Sequence, residues 1–200
     1  TVLSKNQSET ENIQQILQTI GFPCVLKAPA QGSSIGTAVC LTAADFPKAF
    51  PKAALLEVVD RKDWNAYSAT RLIRQWTDVR ISVGFPCLIL ETQETIPGPH
   101  FAKSMLEKAF LQFETITLQA VDSPTEILAE QWIDGEEFSV IVVQDEAGNP
   151  IALPPTLIRK ANQYYDYRSK YLPGMANKTT PIPFEDEIVR RICREAERLM

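Results

Sequence analysis

The most informative stretch of this sequence is Lys27-Ala28-Pro29-Ala30-Gln31-Gly32-Ser33-Ser34-Ile35-Gly36, which lies between two short apolar runs at residues 22–26 and 37–41. Two β-type runs joined by a small, hydroxyl-rich loop predict a hairpin whose tip is open to a ligand. Residues 27–36, here called the Lys27 loop, offer backbone N–H groups, two serine hydroxyls and an ammonium. Such groups cradle polyphosphate, because glycine lets the backbone approach closely and lysine supplies counter-charge. An ordinary Gly/Ser hairpin loop is the alternative, and this stretch alone does not decide between the two.

Composition and charge exclude several classes of protein. The 200 residues fit one domain or two small ones, with 44% apolar and 22% charged residues, as is ordinary for a globular chain. The net charge is −5 and no basic stripe is present, so we expect no nucleic-acid partner. No apolar stretch is long enough to span a bilayer and no signal peptide is recognised, so we expect no membrane partner.

The cysteines and the single histidine argue against a soft-metal site. Cys24, Cys40, Cys87 and Cys193 are scattered, with no C-x-x-C pair, and we interpret them as small buried thiols in a reducing cytoplasm. His100 lies near two prolines without an orienting partner, and we assign it no role. Any metal would therefore be a hard ion held by carboxylates and phosphate.

Helical periodicity frames the Lys27 loop. Residues 9–20 carry apolar side chains at helical spacing, and Gly21 closes this helix. A second helix opens at residues 42–46 and is interrupted by Pro51. Residues 185–200 form an amphipathic helix with acids in its first turn. The sequence therefore predicts helix, strand, loop, strand and helix in the first quarter of the chain.

The segment between about residues 53 and 124 gives weaker signals. Within it, Gly84-Phe85-Pro86-Cys87 echoes Gly21-Phe22-Pro23-Cys24. No lysine or Gly/Ser loop follows the second occurrence, so we interpret the echo as chance rather than as a repeat.

Two carboxylates bracket a turn in the second half of the chain. Glu130 and Glu137 flank Asp134-Gly135, a turn signal between two strand-type runs. Solvated strand-end charges are the alternative for both glutamates.

The run at 138–143 is apolar enough to predict a strand covered on both faces. Residues 164–171 combine four tyrosines with lysine and arginine, which predicts a flap over a polar ligand.

The order of these motifs carries a family resemblance. A P-loop is excluded because Gly32 and Gly36 are not followed by Gly-Lys-Ser/Thr and the loop leads to a strand, and a dinucleotide fold fails on the same ground. Four segments in fixed order resemble the ATP-grasp superfamily, and most closely the D-alanine–D-alanine ligase family. They are residues 21–27 with the loop at 32–36, residues 130–140, Leu153-Pro154-Pro155, and Tyr165-Asp166-Tyr167-Arg168-Ser169-Lys170-Tyr171.

This resemblance implies a fold class and a division into domains. The class is α+β, an ATP-grasp fold of antiparallel sheets with packed helices, present in part. Residues 1–133 would form the small subdomain, which contains the Lys27 loop and an insertion at about 53–124. Residues 134–200 would begin a large subdomain that is truncated here. The resemblance is silent about the insertion.

The resemblance also implies roles for individual residues. Lys27 would contact the α- and β-phosphates, Glu130 would accept from the adenine amino group, and Glu137 would hold the ribose hydroxyls. The full nucleotide-binding set is Lys27, Gly32, Ser33, Ser34, Gly36, Glu130, Trp132, Ile133, Glu137 and Tyr165. Within that set the backbone of Trp132 and Ile133 would read the purine edge.

For catalysis the resemblance points to Ser33, Lys170 and Tyr171. Lys170 would approach the transferred γ-phosphate, and the other two would orient the substrate. The implied reaction is phosphorylation of a carboxylate by ATP to an acyl phosphate, followed by attack of an amine, for peptidoglycan precursors. The cofactors would be ATP and Mg²⁺, and no metal ligand is assigned within the chain because the family's ligands are expected beyond residue 200.

Partners and activity are expected to depend on regions outside this chain. We expect small-molecule substrates, D-alanine or a similar amino acid, and a cytoplasmic location, and a homodimer formed through missing parts stays open. The 200 residues alone are expected to bind ATP weakly at best and to catalyse nothing. A catalytically inactive nucleotide-binding or regulatory module is the alternative, because Gln31 stands where the family has glutamate and because of the insertion at about 53–124. Another ATP-grasp enzyme, acting on a different carboxylate, is a third.

Overall fold

The computed structural model describes residues 1–78, 80, 82–160, 170–171 and 174–200. The chain divides into two compact units, Thr1–Trp132 (unit 1) and Ile133–Met200 (unit 2), and each is described by itself. Every strand pairing among the described residues is antiparallel, and helices accompany the sheets. The predicted α+β class is therefore confirmed.

The described residues of unit 1 form eight strands and four α-helices. In chain order they are β1 Val2–Ser4, α1 Glu9–Thr19, β2 Cys24–Lys27, β3 Thr37–Cys40, α2 Phe46–Ala53, β4 Leu56–Asp60, α3 Ala66–Trp76, β5 Cys87–Ile89, β6 Thr95–Ile96, α4 Pro99–Ala109, β7 Thr115–Ala120 and β8 Glu126–Gln131. They build two four-stranded sheets with the orders β1-β8-β2-β3 and β4-β7-β5-β6.

Local chemistry sets the first elements as the sequence predicts. A capping box at Ser8 and Glu11 satisfies the exposed N–H groups at the start of α1, and Gly21 takes a positive φ of +71° just after its end. The apolar runs on either side of the Lys27 loop form the hairpin β2–β3, with Cys24 opposite Cys40.

The prediction for α2 is wrong in one respect. Pro51 lies inside this helix, where its missing N–H removes only a bond to the first turn.

Each sheet of unit 1 buries one face under its own helices. The first sheet packs Leu26 and Ile127 beneath Ile16 of α1 and Phe46 of α2. The second sheet packs its apolar residues beneath α3 and α4, with Trp76 fully buried. Alternate residues of each strand therefore face away from the helices, as the two-residue period of a strand requires.

The two sheets are two copies of one structural unit. Each copy runs strand, helix, hairpin, helix and strand, and the two sheet orders are equivalent element by element. The registers agree as well. In the outer copy, Cys24 of β2 pairs with Gln131 of β8, and Val2 of β1 pairs with Leu128, three residues earlier on β8. In the inserted copy, Cys87 of β5 pairs with Ala120 of β7, and Val58 of β4 pairs with Thr117, three residues earlier on β7. The interpretation of the Gly-Phe-Pro-Cys echo as chance is therefore wrong.

One copy is nested inside the other. Residues 56–120, the inserted copy, lie between α2 and β8 of the outer copy, which comprises residues 2–53 and 126–131. The chain enters and leaves the inserted copy at adjacent points. The N–H of Ala120 donates to the carbonyl of Leu55 (3.1 Å), and Ser123 Oγ donates to the carbonyl of Ala54 (2.6 Å). Adjacent ends are typical of a domain inserted into another domain.

The described residues of unit 2 form two small sheets and a helix of 13 residues, and residues 170–171 are also helical. Its elements are β9 Glu137–Ser139, β10 Val142–Gln144, β11 Pro150–Ala152, β12 Thr156–Lys160, β13 Ala176–Thr179 and α5 Asp186–Arg198. The sheet orders are β13-β12-β9 and β10-β11. The apolar run at 138–143 is divided between β9 and β10, and Ile141 between them is 64% exposed. The prediction of one strand covered on both faces is thus wrong within this unit.

Among the described residues, the helices are all too short or too polar to cross a bilayer.

Candidate functional site

The Lys27 loop is a closed hairpin tip with its own hydrogen bonds. The N–H of Ala28 donates to the carbonyl of Gly36 (3.0 Å) at its base, and the N–H of Ile35 donates to the carbonyl of Gly32 (3.0 Å) within it. The N–H of Thr37 donates to the carbonyl of Ser34 (3.3 Å) where the chain enters β3. The loop therefore has a defined shape in this structure.

Three residues of this loop have left-handed backbone angles. Ser33 and Ser34 have φ values of +53° and +63°, and Gly36 has +63°. A left-handed conformation costs a residue with a side chain about 1 kcal/mol or more, because Cβ approaches the following carbonyl. Such strain is concentrated in ligand-binding segments, where it fixes the direction of backbone N–H groups. The two serines are thus the strained part of the loop.

Lys27 and Glu130 form an ion pair on the open face of the first sheet. The register places Val25 opposite Glu130 and Lys27 opposite Leu128, so the lysine and the glutamate are diagonal neighbours on one face. Their side chains are 40% and 43% exposed and Nζ contacts Oε2 directly. A half-exposed pair contributes up to about 1 kcal/mol. Contact with phosphate and with adenine, the roles expected for the two residues, would require this pair to open.

The segment after β8 begins the expected purine-reading stretch. The N–H of Trp132 donates to the carbonyl of Pro23 (3.1 Å), so this group extends the pairing of β8 with the outer copy. The N–H of Trp132 can donate to a purine only if its hydrogen bond to Pro23 is broken. Ile133 is the first residue of unit 2, and it is highly exposed.

The remaining expected site residues belong to unit 2. Glu137 begins β9 and pairs with Ile158 of β12. Lys170 is partly buried and Tyr171 is exposed. Tyr165 lies outside the described residues. The structure therefore brings together Lys27, the loop residues and Glu130, and it describes Glu137, Lys170 and Tyr171 in a separate unit.

Gln31 has a partner that sequence reasoning missed. Its Nε2 donates to Oδ2 of Asp122, which follows β7 at the exit from the inserted copy. An amide can donate to this carboxylate, whereas the glutamate expected at position 31 would be repelled by it. The two residues are 91 positions apart, and no local pattern marks them as a pair.

The described residues offer no ready metal site. No group of three or more histidine, cysteine, aspartate or glutamate side chains is gathered closely enough among them to hold an ion. His100 lies in the first turn of α4, outside the outer copy.

Burial shifts the pKa of several groups away from the Lys27 loop. Burial raises the pKa of the Cys40 thiol to about 12, with the neighbouring Cys24 adding to the effect, and raises that of Cys87 to about 11. These thiols are therefore neutral and unreactive at physiological pH, as structural cysteines are. Burial also raises the pKa of the Glu57 carboxyl, and a hydrogen bond from Ser82 Oγ (3.2 Å) offsets part of this increase.

The antiparallel sheets, the packed helices and the serine-containing loop define a class of protein, the ATP-grasp fold. The VanG D-Ala:D-Ser ligase from Enterococcus faecalis is a solved structure with this arrangement. It is similar to this chain with a TM-score of 0.52 at 15% identity, over 98% of this chain and 36% of that structure. At this identity the likeness concerns the fold alone.

The family follows from the sequence comparison. Residues 74–200 match the model of the D-ala D-ala ligase C-terminus, and the chain belongs to this family. It is 27% identical to a D-alanine–D-alanine ligase of Geotalea uraniireducens over 92% of this chain and 53% of that relative. It is 24% identical to a D-alanine–D-alanine ligase of Fervidobacterium nodosum over 96% of this chain and 39% of that relative. The chain thus spans about half of one relative's length and less of the other's.

The family match bears on the nested copies. It begins at residue 74, inside α3, and therefore runs through most of the inserted copy before it reaches β8. The Lys27 loop lies before the matched range. The family match thus includes most of the segment at 53–124, about which the motifs alone gave no information.

Proposed function

We propose that this chain is the nucleotide-binding portion of an ATP-dependent carboxylate–amine ligase that forms a D-alanyl dipeptide or a close relative of it. The observation that carries this proposal is the strained, hydroxyl-rich Lys27 loop beside the Lys27–Glu130 pair, in a chain of the D-ala D-ala ligase family. The alternative of an inactive module rests on Gln31 and on the insertion. A hydrogen bond to Asp122 gives Gln31 a structural role, and the family match extends into the insertion from residue 74.

The residues present fit a bound nucleoside triphosphate. Lys27 would neutralise phosphate charge, and the backbone N–H groups near Ser33 and Ser34 would bind phosphate oxygens, as anion-binding loops do. Glu130 would be released from Lys27 to accept a hydrogen bond from the base. When bound, ATP supplies an activated phosphoryl group for transfer to a carboxylate.

Further roles follow from the resemblance to the family. Glu137 would bind the ribose, Tyr165 would belong to the nucleotide-binding set, and Lys170 would approach the transferred phosphate. Ser33 and Tyr171 would orient an amino-acid substrate. Mg²⁺ would be held mainly by the phosphates and by carboxylates outside the described residues, since hard ions prefer oxygen ligands.

Thermal unfolding with MgATP, MgGTP or buffer tests this proposal directly. Ligand that binds only the folded state stabilises it by about 2.7 kcal/mol at a hundredfold excess over the dissociation constant. We expect a rise in Tm with MgATP and none with MgGTP. Lys27→Ala should abolish the rise, because it removes the phosphate counter-charge.

Lys103→Ala is the matched control for this experiment. Lys103 also pairs with a carboxylate, Glu107 (3.9 Å), but it lies on α4 of the inserted copy. This variant should keep the full MgATP response. An equal rise in Tm with MgATP for wild type and Lys27→Ala would contradict the assignment of the Lys27 loop as the phosphate site.

A further inference from the structure

The inserted copy lacks the residues that the outer copy would present to a nucleotide. The shared register makes Leu90 the equivalent of Lys27 and Gln119 the equivalent of Glu130. The segment that joins β5 to β6 is residues 90–94, half as long as the Lys27 loop, and it carries Glu91 and Glu94. A cation is thus replaced by an apolar side chain and two carboxylates are added, which disfavours phosphate.

The inserted copy and its two connections contact the Lys27 loop at two places. In the middle of the loop, Gln31 donates to Asp122 on the exit connection. Near the end of the loop, Ile35 packs against the hydrophobic core of the inserted copy. A Cβ built on Gly36 would lie 3.1 Å from Cδ2 of Leu55, which is the entry connection. Three residues of the loop, Gln31, Ile35 and Gly36, therefore lie against the inserted copy or its connections.

Leu55 itself shows that this contact is constrained. It has a φ of +54° and is 8% exposed within the core of the inserted copy. A bulky residue at positive φ is a conformational outlier that persists only when its surroundings hold it. The entry connection is therefore fixed by packing, and it gives Ile35 and Gly36 a rigid surface.

We propose that the inserted copy is a brace that holds the Lys27 loop in its strained conformation, and that Gln31 and Ile35 are the positioning residues through which it acts. This inference deepens the proposed function, since the loop that it positions is the proposed phosphate site. The Gln31–Asp122 pair also explains the departure from glutamate at position 31. An amide opposite Asp122 closes the loop, whereas a second carboxylate would push it open.

Hydrogen–deuterium exchange of the loop amides in the absence of nucleotide tests the brace. Gln31→Glu should make the amides of residue 28 and residues 30–37 exchange roughly fivefold faster, because one exposed hydrogen bond becomes a like-charge contact. Asp122→Asn alone should have little effect, since an asparagine oxygen still accepts from Gln31. The double variant Gln31→Glu/Asp122→Asn should restore slow exchange, because donor and acceptor have changed places.

Two further variants separate positioning from general stability. Gln14→Glu makes the same charge change on the exposed face of α1 and should leave loop exchange unchanged. Ile35→Ala should speed exchange in the loop while the amides of β2 and β8 keep their protection. Unchanged loop exchange in both Gln31→Glu and Ile35→Ala would overturn the brace, as would failure of Asp122→Asn to rescue an effect of Gln31→Glu.

Nucleotide affinity distinguishes this inference from the proposed function. If the loop binds phosphate, Gln31→Glu should weaken MgATP binding by about the same factor as it speeds exchange, and the double variant should recover both. A wild-type chain that shows the exchange pattern but does not respond to MgATP would refute the proposed function and leave the brace standing. A chain that binds MgATP with no exchange difference among the variants would refute the brace alone.

Discussion

At the scale of single residues, Gly36 shows how little freedom the Lys27 loop has. Its φ is +63°, and a Cβ at this position would lie 2.7 Å from Cβ of Ala28. Gly36→Ala therefore adds backbone strain to a steric overlap with another backbone-anchored atom. We expect it to lower the free energy of unfolding by roughly 2–4 kcal/mol, measured by urea denaturation.

Gly32→Ala is the control for that change. Gly32 has no heavy atom within 4 Å of an added Cβ, and its φ lies outside the left-handed region. Its substitution should change stability by less than about 0.5 kcal/mol. Equal costs at the two glycines would show that the packing of Gly36 against Ala28 and Leu55 is not present in solution.

The Lys27 loop shows which features of a loop can be predicted from local sequence and which cannot. Its small, hydroxylated sequence predicts an open hairpin tip, and the hairpin is present. The positive φ values of Ser33 and Ser34 could not be predicted, because serine has no intrinsic preference for that region. The contacts around the loop impose them.

At the scale of secondary-structure elements, β4 carries a carboxylate on its buried side. Glu57 pairs with the buried Leu118 of β7, so it lies on the same face of the sheet as the core, and its side chain is half-buried. Burial raises the pKa of the Glu57 carboxyl in the folded state above the unfolded value of 4.5. The ionised form is therefore less favourable in the folded protein than in the unfolded chain.

Glu57→Gln should consequently make the protein more stable at pH 7. The sign follows from linkage, because a raised carboxyl pKa costs stability as the pH rises through the interval between the unfolded and folded values. Below about pH 4 both states are protonated and the difference between wild type and variant should disappear. Tm measured from pH 4 to pH 8 checks this expectation. Glu126→Gln, at an exposed strand end, should show no such trend, and a pH-independent gain in Glu57→Gln would contradict the proposed cause.

The elements differ in how far periodicity predicts them. The spacing of Ile13, Ile16 and Leu17 and the glycine stop predict α1 almost to its ends. The hairpin β5–β6 cannot be predicted from periodicity, because its strands have only three and two residues, too few to show an alternation of apolar and polar side chains. Its position is set by pairing with β7 instead.

At the scale of the whole molecule, the nested arrangement predicts that the outer copy can fold without the inserted copy. The entry and exit of the inserted copy are joined by hydrogen bonds, so a short linker can replace residues 55–122. The two hydrophobic cores of unit 1 are also separate clusters. We expect the shortened chain to unfold cooperatively and to retain exchange protection in β2 and β8.

The same variant should lose protection in the Lys27 loop. Gln31 and Ile35 would have no partners once Asp122 and the core of the inserted copy were removed. Circular dichroism and hydrogen exchange measure the two effects separately. Complete unfolding of the shortened chain would show that the copies form one cooperative unit, and full loop protection would contradict the positioning role.

The sequence by itself determined the local structure and the family. Helix α1, the β2–β3 hairpin and the Lys27 loop follow from side-chain periodicity and turn chemistry, which act over a few residues. Tertiary structure alone decided that the Gly84-Phe85-Pro86-Cys87 echo is a repeat and that Gln31 meets Asp122. The physical reason is that both depend on antiparallel pairings between distant strands, such as β2 with β8 and β5 with β7, whose register is fixed only when each sheet buries its apolar face.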